Sequence, residues 1–292
     1  MYITARGRWI GLAYLAPVLL FVFCFTAFPF FQLIGVSFTN WSLLSPPKFV
    51  GFNNFTKAFA DRQFWISLGF TLKYTLLITP VLMVGGYLLA LLVVGNTPLR
   101  RFTRAVIFIP VVIGLGASSL LWYWLFSTNY GLINRLLQQI GLIAKPVFWL
   151  GVDADLSNWA IIASVTWKVI GFGMLLFVAA IQGISAEVNE ASHVDGANPW
   201  QRLTLITIPL TLRTVLLVTL VSVIGSLLAF DQFYIMTAGQ PQNLTATSVF
   251  YVYLNSFPYL KLGYGAALSL ILAAIVLVFT ILQMVLSRRS YA

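Results

Sequence analysis

The 292-residue chain is 60% hydrophobic and 8% charged, whereas soluble domains carry about a quarter charged residues, so a water-soluble globular fold is excluded. Its net charge of +10 is not gathered into a patch, which argues against nucleic acid. The arginines instead flank apolar runs, at Arg6 and Arg8, at Arg100, Arg101 and Arg104, at Arg202 and Arg213, and at Arg288 and Arg289, as expected of residues that hold loops on the cytoplasmic side of a membrane.

The apolar runs predict an all-α integral membrane protein with six transmembrane helices, at 9–38, 67–94, 105–126, 158–181, 213–236 and 262–286. Each is long enough for a bilayer core of about 30 Å at about 1.5 Å per residue. Helices are required because a spanning segment must satisfy its own backbone hydrogen bonds, and continuous apolar runs are not the alternating strands of a barrel. The first run follows Arg6 and Arg8 but exceeds the core of a cleaved signal, so it reads as an uncleaved span. Cys24 lies in it and reads as a buried, inert thiol. As the sole cysteine, beside the sole histidine His193, it allows no internal disulfide and no metal cluster.

Beyond the first span, Ser45-Pro46-Pro47 marks a turn. Asn53 or Asn54 is placed to cap a short helix carrying Phe55 and Phe59. Span three contains Gly114 and Gly116 and ends in Trp122-Tyr123-Trp124, read as interface anchors or, less simply, as sugar-stacking rings. In 129–141, Leu132, Ile133, Leu136, Leu137 and Ile140 share one helical face. Asn134, Arg135, Gln138 and Gln139 share the other, and Gly141 is placed to end the turn, which predicts an interfacial helix. Span four carries Trp167 and Lys168, with Gly171 and Gly173, like Gly114 and Gly116 of span three, suited to close helix packing. With both termini inside, 95–104 and 182–212 face the cytoplasm and the flanking arginines lie inside. One membrane domain, 1–292, accounts for the whole chain, without an internal repeat.

The 183–211 segment, GISAEVNEASHVDGANPWQRLTLITIPLT, parses as two short helices around a tight turn. Ser185 is the first cap and Glu187 sits in the first turn, where negative charge suits the helix dipole. Gly196 follows the last turn, Asn198 caps the second helix, and Pro199 takes its first position. Pro209 falls where a further span begins. A loop with Val188, Ala191, Val194 and Trp200 either packs on its own bundle or presents a surface to a partner; the residues alone leave both open.

This loop resembles the signature of binding-protein-dependent ABC importer permeases: Glu-Ala-Ala, three residues, Gly, nine residues, then Ile-x-Leu-Pro. Glu190, Ala191, Ser192, Gly196, Ile206, Ile208 and Pro209 match in register, with Ser192 and Ile208 as the small departures. Asp195-Gly196-Ala197 and the trailing Ile-Pro look like the carbohydrate-uptake branch. So do Trp167 through Gln182, Gly131 through Asn134, and Phe230-Asp231 running to Tyr264-Gly265. The short tail is similar to the first-named of two sugar permeases. The resemblance implies a type I ABC importer permease architecture in a bacterial inner membrane. It implies that Glu190, Ala191, Ser192, Asp195, Gly196, Ala197 and Pro209 couple to an ATPase. The implied partners are a second homologous permease, two ATPase copies, an extracytoplasmic solute-binding protein and membrane lipid.

No phosphate-cradling Gly-x-x-x-x-Gly-Lys-Ser/Thr occurs, so no cofactor is expected on this chain; ATP and Mg belong to the partner ATPases. No catalytic constellation is visible, and a non-enzymatic subunit is expected. An acid in an apolar span is costly, which singles out Asp231 as a solute-hydroxyl acceptor beside Gln232 and Tyr234, as a structural partner of another helix through Lys168, or as a residue close enough to the outer interface to meet water. Trp167 completes the candidate substrate pathway. The alternative function is an ion-coupled secondary transporter, which needs an intramembrane ion site.

Overall fold

The computed structural model describes the backbone of residues 5–289 and the side chains of residues 14–285. Arg6, Arg8, Arg288 and Arg289, on which the placement of the termini rests, lie outside the described side chains. Among the described residues there are no strands, only isolated bridges at Thr39–Phe49 and Ser42–Ser45. Among the described residues, five helices are long and apolar enough to cross a membrane, or six when one bent pair counts as a single span. The chain forms two compact units, one running through Asp61 with Val252–Ile275, the other comprising Arg62–Tyr251 and the residues from Val276.

In the first unit, α1 (Ala5–Val22) passes through a π turn (Phe23–Ala27) into α2 (Phe28–Ser37). Pro29 explains the wide turn: it lacks an N–H, and its ring would strike the carbonyl of Phe25 in a regular helix. The span buries nothing of its most apolar window, and Cys24 is exposed rather than buried. The reason is that, among the described residues of this unit, no other helix covers it. α3 (Asn53–Ala60) is capped by neither asparagine, since its N-cap is Phe52. Asn54 is buried and donates instead to the carbonyls of Ser37 and Thr39, each at 2.8 Å, because two open loop carbonyls outbid a helix start. The beginning of α14 (Leu262–Arg289) closes on the same loop, with the Gly263 N–H donating to Trp41 O at 3.1 Å. A Cβ at Gly263 would run into the Thr39 carbonyl, so only glycine permits this approach. Tyr264 donates to Asp61 Oδ2 at 2.5 Å, and the Lys57 ammonium stands 4.9 Å over the tyrosine ring.

The second unit is built on α4 (Arg62–Val93) and α8 (Ala154–Gln182). Lys73 pairs with Asp155, and Gly86 packs on Met174; both numbers rise together, so the two helices run in the same direction. Their seam buries Tyr74, Ile78 and Leu82 against Ile161 and Val165, and further along Ala90 and Val93 against Met174 and Phe177. α5 (Pro98–Val112) crosses α8 at Gly171, where a Cβ would clash with the backbone of Ile107 and Phe108.

Span three is not one helix. α5 ends at Val112 and α6 (Leu115–Leu125) leaves it at 97°. Pro110 withholds one backbone donor, and Ile113 and Gly114 adopt extended ψ values of 134° and 143°. Gly114 therefore marks a hinge rather than a packing contact, since nothing lies within 4 Å of its Cβ position. Span five also stops early. α11 (Ile208–Leu227) ends at Leu227, and Asp231 opens a separate short helix, α12 (Asp231–Met236), after Phe230 with φ −138° and ψ −63°.

α7 (Leu132–Gln139) forms as expected and Gly141 ends its turn at φ +74°. Leu132, Leu136 and Ile140 are exposed, but Asn134 is buried rather than solvated. Its amide bonds Thr128 O, Val147 O, Val147 N and the Trp149 indole, a loop-tying role that periodicity cannot reveal. The three outer aromatics divide: Trp122 is half-buried, edge-on to Trp167 at 5.7 Å, while Tyr123 and Trp124 are exposed.

Candidate functional site

The 183–212 loop folds as α9 (Ala186–Val194) and α10 (Pro199–Arg202). Ser185 occupies the first N-cap, yet its side chain makes no capping bond; Glu187 in the first turn supplies the favourable charge there. α9 closes in a Schellman motif: Gly196 N–H donates to His193 O at 3.1 Å and Ala197 N–H to Ser192 O at 3.0 Å. The motif needs a left-handed residue, and Gly196 sits at φ +72°. α10 begins with a capping box, Gln201 N–H to Asn198 Oδ1 at 2.8 Å and Asn198 N–H to Gln201 Oε1 at 2.9 Å. The Arg202 guanidinium reaches back to the His193 ring and ties the two helices.

Glu190, Ala191, Asp195 and Gly196 are exposed, Ala197 is half-buried, and Ser192 is buried with its hydroxyl on Asn189 O at 2.6 Å. Its small side chain fits under the turn. Pro209 is not at a helix start: the helix runs unbroken from Pro199 to Leu227 through a π turn at Leu203–Thr207. The cause is the one acting at Pro29, a proline two residues past the widened turn. The surface is apolar where water would be its neighbour in isolation, with Val194 88% exposed, Leu205 71% and Trp200 70%. A loop packed on its own bundle would bury these side chains.

Within the second unit, α4, α6, α8, α11 and α12 enclose a cavity of about 230 Å³. Its lining is apolar, Phe172 included, except for Tyr74, Ser222, Ser226 and Gln232. Gln232 is 3% exposed; its Nε2 donates to the Tyr74 hydroxyl at 3.4 Å, and its Oε1 has no partner. Of the four pathway residues expected from sequence, the lining includes Gln232 and not Asp231, Tyr234 or Trp167. Asp231 is half-buried past the end of α11, and its position after the helix break removes the premise of an acid inside an apolar span. Tyr234 stacks on Phe230 at 5.4 Å. Lys168 does not pair with Asp231; an ion pair forms between Lys73 and Asp155 at 2.5 Å, on exposed side chains. Sequence reading missed Tyr74, Ser222 and Ser226. The signal was there in part, since Ser222 and Ser226 are four apart and share a face with each other.

Broken apolar spans around a small cavity, with a capped helical loop between two of them, define a multi-pass membrane protein of the type I importer permease fold. The crystal structure of a bacterial alginate ABC transporter in complex with its alginate pentasaccharide-bound periplasmic protein contains a chain similar to this one. The two share 23% identity over 97% of this chain and 96% of that one, with a TM-score of 0.84. Residues 82–290 match the family of binding-protein-dependent transport system inner membrane components, and the chain belongs to that family. Its relatives include the probable starch degradation products permease AmyD of Thermoanaerobacterium thermosulfurigenes, 29% identical over 97% of this chain and 95% of AmyD. The lactose permease LacF of Rhizobium radiobacter is 31% identical over 95% of this chain and 94% of LacF. Family membership replaces the ion-coupled carrier as the account of what the chain does.

Proposed function

We propose that the chain is one half of the translocation pathway of an ABC importer for a saccharide or sugar-like solute, acting as one membrane domain over 1–292 in a bacterial inner membrane. The exposed apolar face of α9 and α10 is the observation that carries the coupling part of this reading. Val194, Trp200 and Leu205 sit at one end of a span, and their burial against a partner would remove roughly 25 cal/mol per Å² of apolar surface from water. Glu190, Ala191, Ser192, Asp195, Gly196, Ala197 and Pro209 shape that element, and its partner is an ATPase subunit that binds ATP and Mg. Two ATPase copies, a second homologous permease and an extracytoplasmic solute-binding protein complete the assembly. The saccharide class is supported by the relatives' names and by the hydroxyl-bearing groups in the cavity.

Nucleotide-driven closure of the ATPases would push the loop, and the π turn at Leu203–Thr207 joins it to α11 without a break, so displacement passes into the cavity wall as rigid-body motion. Gln232 belongs to the solute path. Asp231, Tyr234 and Trp167 act around it by positioning α12 and the neighbouring aromatics. The test is ATP-dependent saccharide uptake into proteoliposomes holding the assembled transporter and its binding protein. Uptake that requires ATP and stops with Trp200→Asp supports the reading; uptake indifferent to both contradicts it.

A further inference from the structure

The cavity is apolar on most of its wall, and none of its lining residues carries a charge. The nearest cation in the sequence of α8, Lys168, is not among them. An ion entering such a site sheds hydration without gaining a counter-charge, and a lone buried charge is strongly disfavoured. Gln232 adds a second, independent observation. Its side chain is buried and lines the cavity, and one end of its amide is unpaired. An unsatisfied buried amide is costly to retain. Rotating the amide end for end only moves the vacancy from oxygen to nitrogen, because Tyr74 can accept or donate. A hydroxyl, which both donates and accepts, satisfies either arrangement.

We infer that this cavity selects an uncharged, hydroxyl-bearing solute segment and rejects the anionic saccharides that other importers of this fold carry, with Gln232 and Tyr74 as the pair that reads the hydroxyl. The inference rests on the saccharide-importer reading above and narrows it to neutral solutes. Tyr74 is fixed for this task by its place in the seam, edge-on to Phe233 at 4.9 Å. Ser222 and Ser226, one helical turn apart on α11, offer further hydroxyls on the facing wall.

Saturation-transfer NMR on the assembled transporter without its soluble binding protein reads saccharide binding to the membrane assembly, and the Gln232 and Tyr74 variants assign that binding to this cavity. The probes are maltose, lactose and trehalose, each against its analogue bearing a carboxylate in place of a 6-hydroxymethyl group. At least one neutral sugar is expected to bind, with its carboxylate analogue weaker by about tenfold or more. Gln232→Leu is expected to lose about tenfold in sugar affinity while raising the melting temperature, because an apolar isostere removes the unpaired amide. Tyr74→Phe is expected to weaken binding as well. Equal binding of a neutral sugar and its carboxylate analogue overturns the charge rule and leaves sugar import standing. Absence of binding by every saccharide overturns both. A Gln232→Leu protein that melts lower and binds normally makes Gln232 a structural residue and overturns its assignment.

Discussion

Two glycines of α8 show how much a single residue type conceals. Gly171 and Gly173 are indistinguishable in sequence as close-packing residues. A Cβ at Gly171 would enter the Ile107 backbone, whereas one at Gly173 meets Val218 at an ordinary 3.5 Å. Gly171→Ala is therefore expected to cost about 1–3 kcal/mol through overpacking, and Gly173→Ala to stay within about 0.5 kcal/mol, as read by thermal unfolding of the purified protein. Gly196 is a third case, where space is free but φ is +72°. Gly196→Val is expected to cost about 1 kcal/mol or more at the turn and to lower solute-stimulated ATPase activity while leaving the spans assembled. That role was legible, since a glycine three residues before a proline-led helix is a strong turn signal. The unpaired amide of Gln232 was not, because whether Tyr74 satisfies one end or both depends on two helices distant in sequence.

At the scale of elements, hydropathy located the spans and missed their breaks. The apolar run through Leu227-Leu228-Ala229-Phe230 continues past the end of α11, so composition extended span five to Met236 and placed Asp231 inside it. In span three the run likewise hid a 97° bend, although Pro110 and Gly114 were both visible. Caps were read unevenly: the Asn198 cap and the Gly196 turn form as their residues predict, with Gln201 completing a box the sequence reading did not name, while the Ser185 side chain goes unused and neither Asn53 nor Asn54 caps α3. Asn198→Ala is expected to destabilise α10 by about 1 kcal/mol, seen as reduced association with the ATPase at unchanged span stability. Trp200→Ala removes a side chain that is 70% exposed and is expected to leave the melting temperature of the isolated chain unchanged within about 1 °C. A fall in ATPase affinity measured by co-purification would accompany it, since a buried tryptophan at an interface is a strong anchor.

For the whole molecule, composition was enough for the membrane and the all-α class, and the loop motif for the family; the solute path depended on where breaks in several helices fall. A cytoplasmic placement of 95–104 and 182–212 is the expectation drawn from Arg100, Arg101, Arg104, Arg202 and Arg213. Single cysteines at Val152 and at Val194, both exposed, are expected in a Cys24→Ser background to react with an impermeant thiol reagent from opposite sides of sealed vesicles, and labelling of both from the same side would contradict that topology. The central claim is that the α9–α10 face is where an ATPase subunit docks and drives the spans. Site-directed crosslinking from Val194→Cys in the reconstituted importer tests it most directly. The account predicts a crosslink to the ATPase whose yield changes when ATP is replaced by ADP, together with loss of uptake once the crosslink forms. ATP-driven uptake that persists with no crosslink from Val194 in either nucleotide state would contradict it.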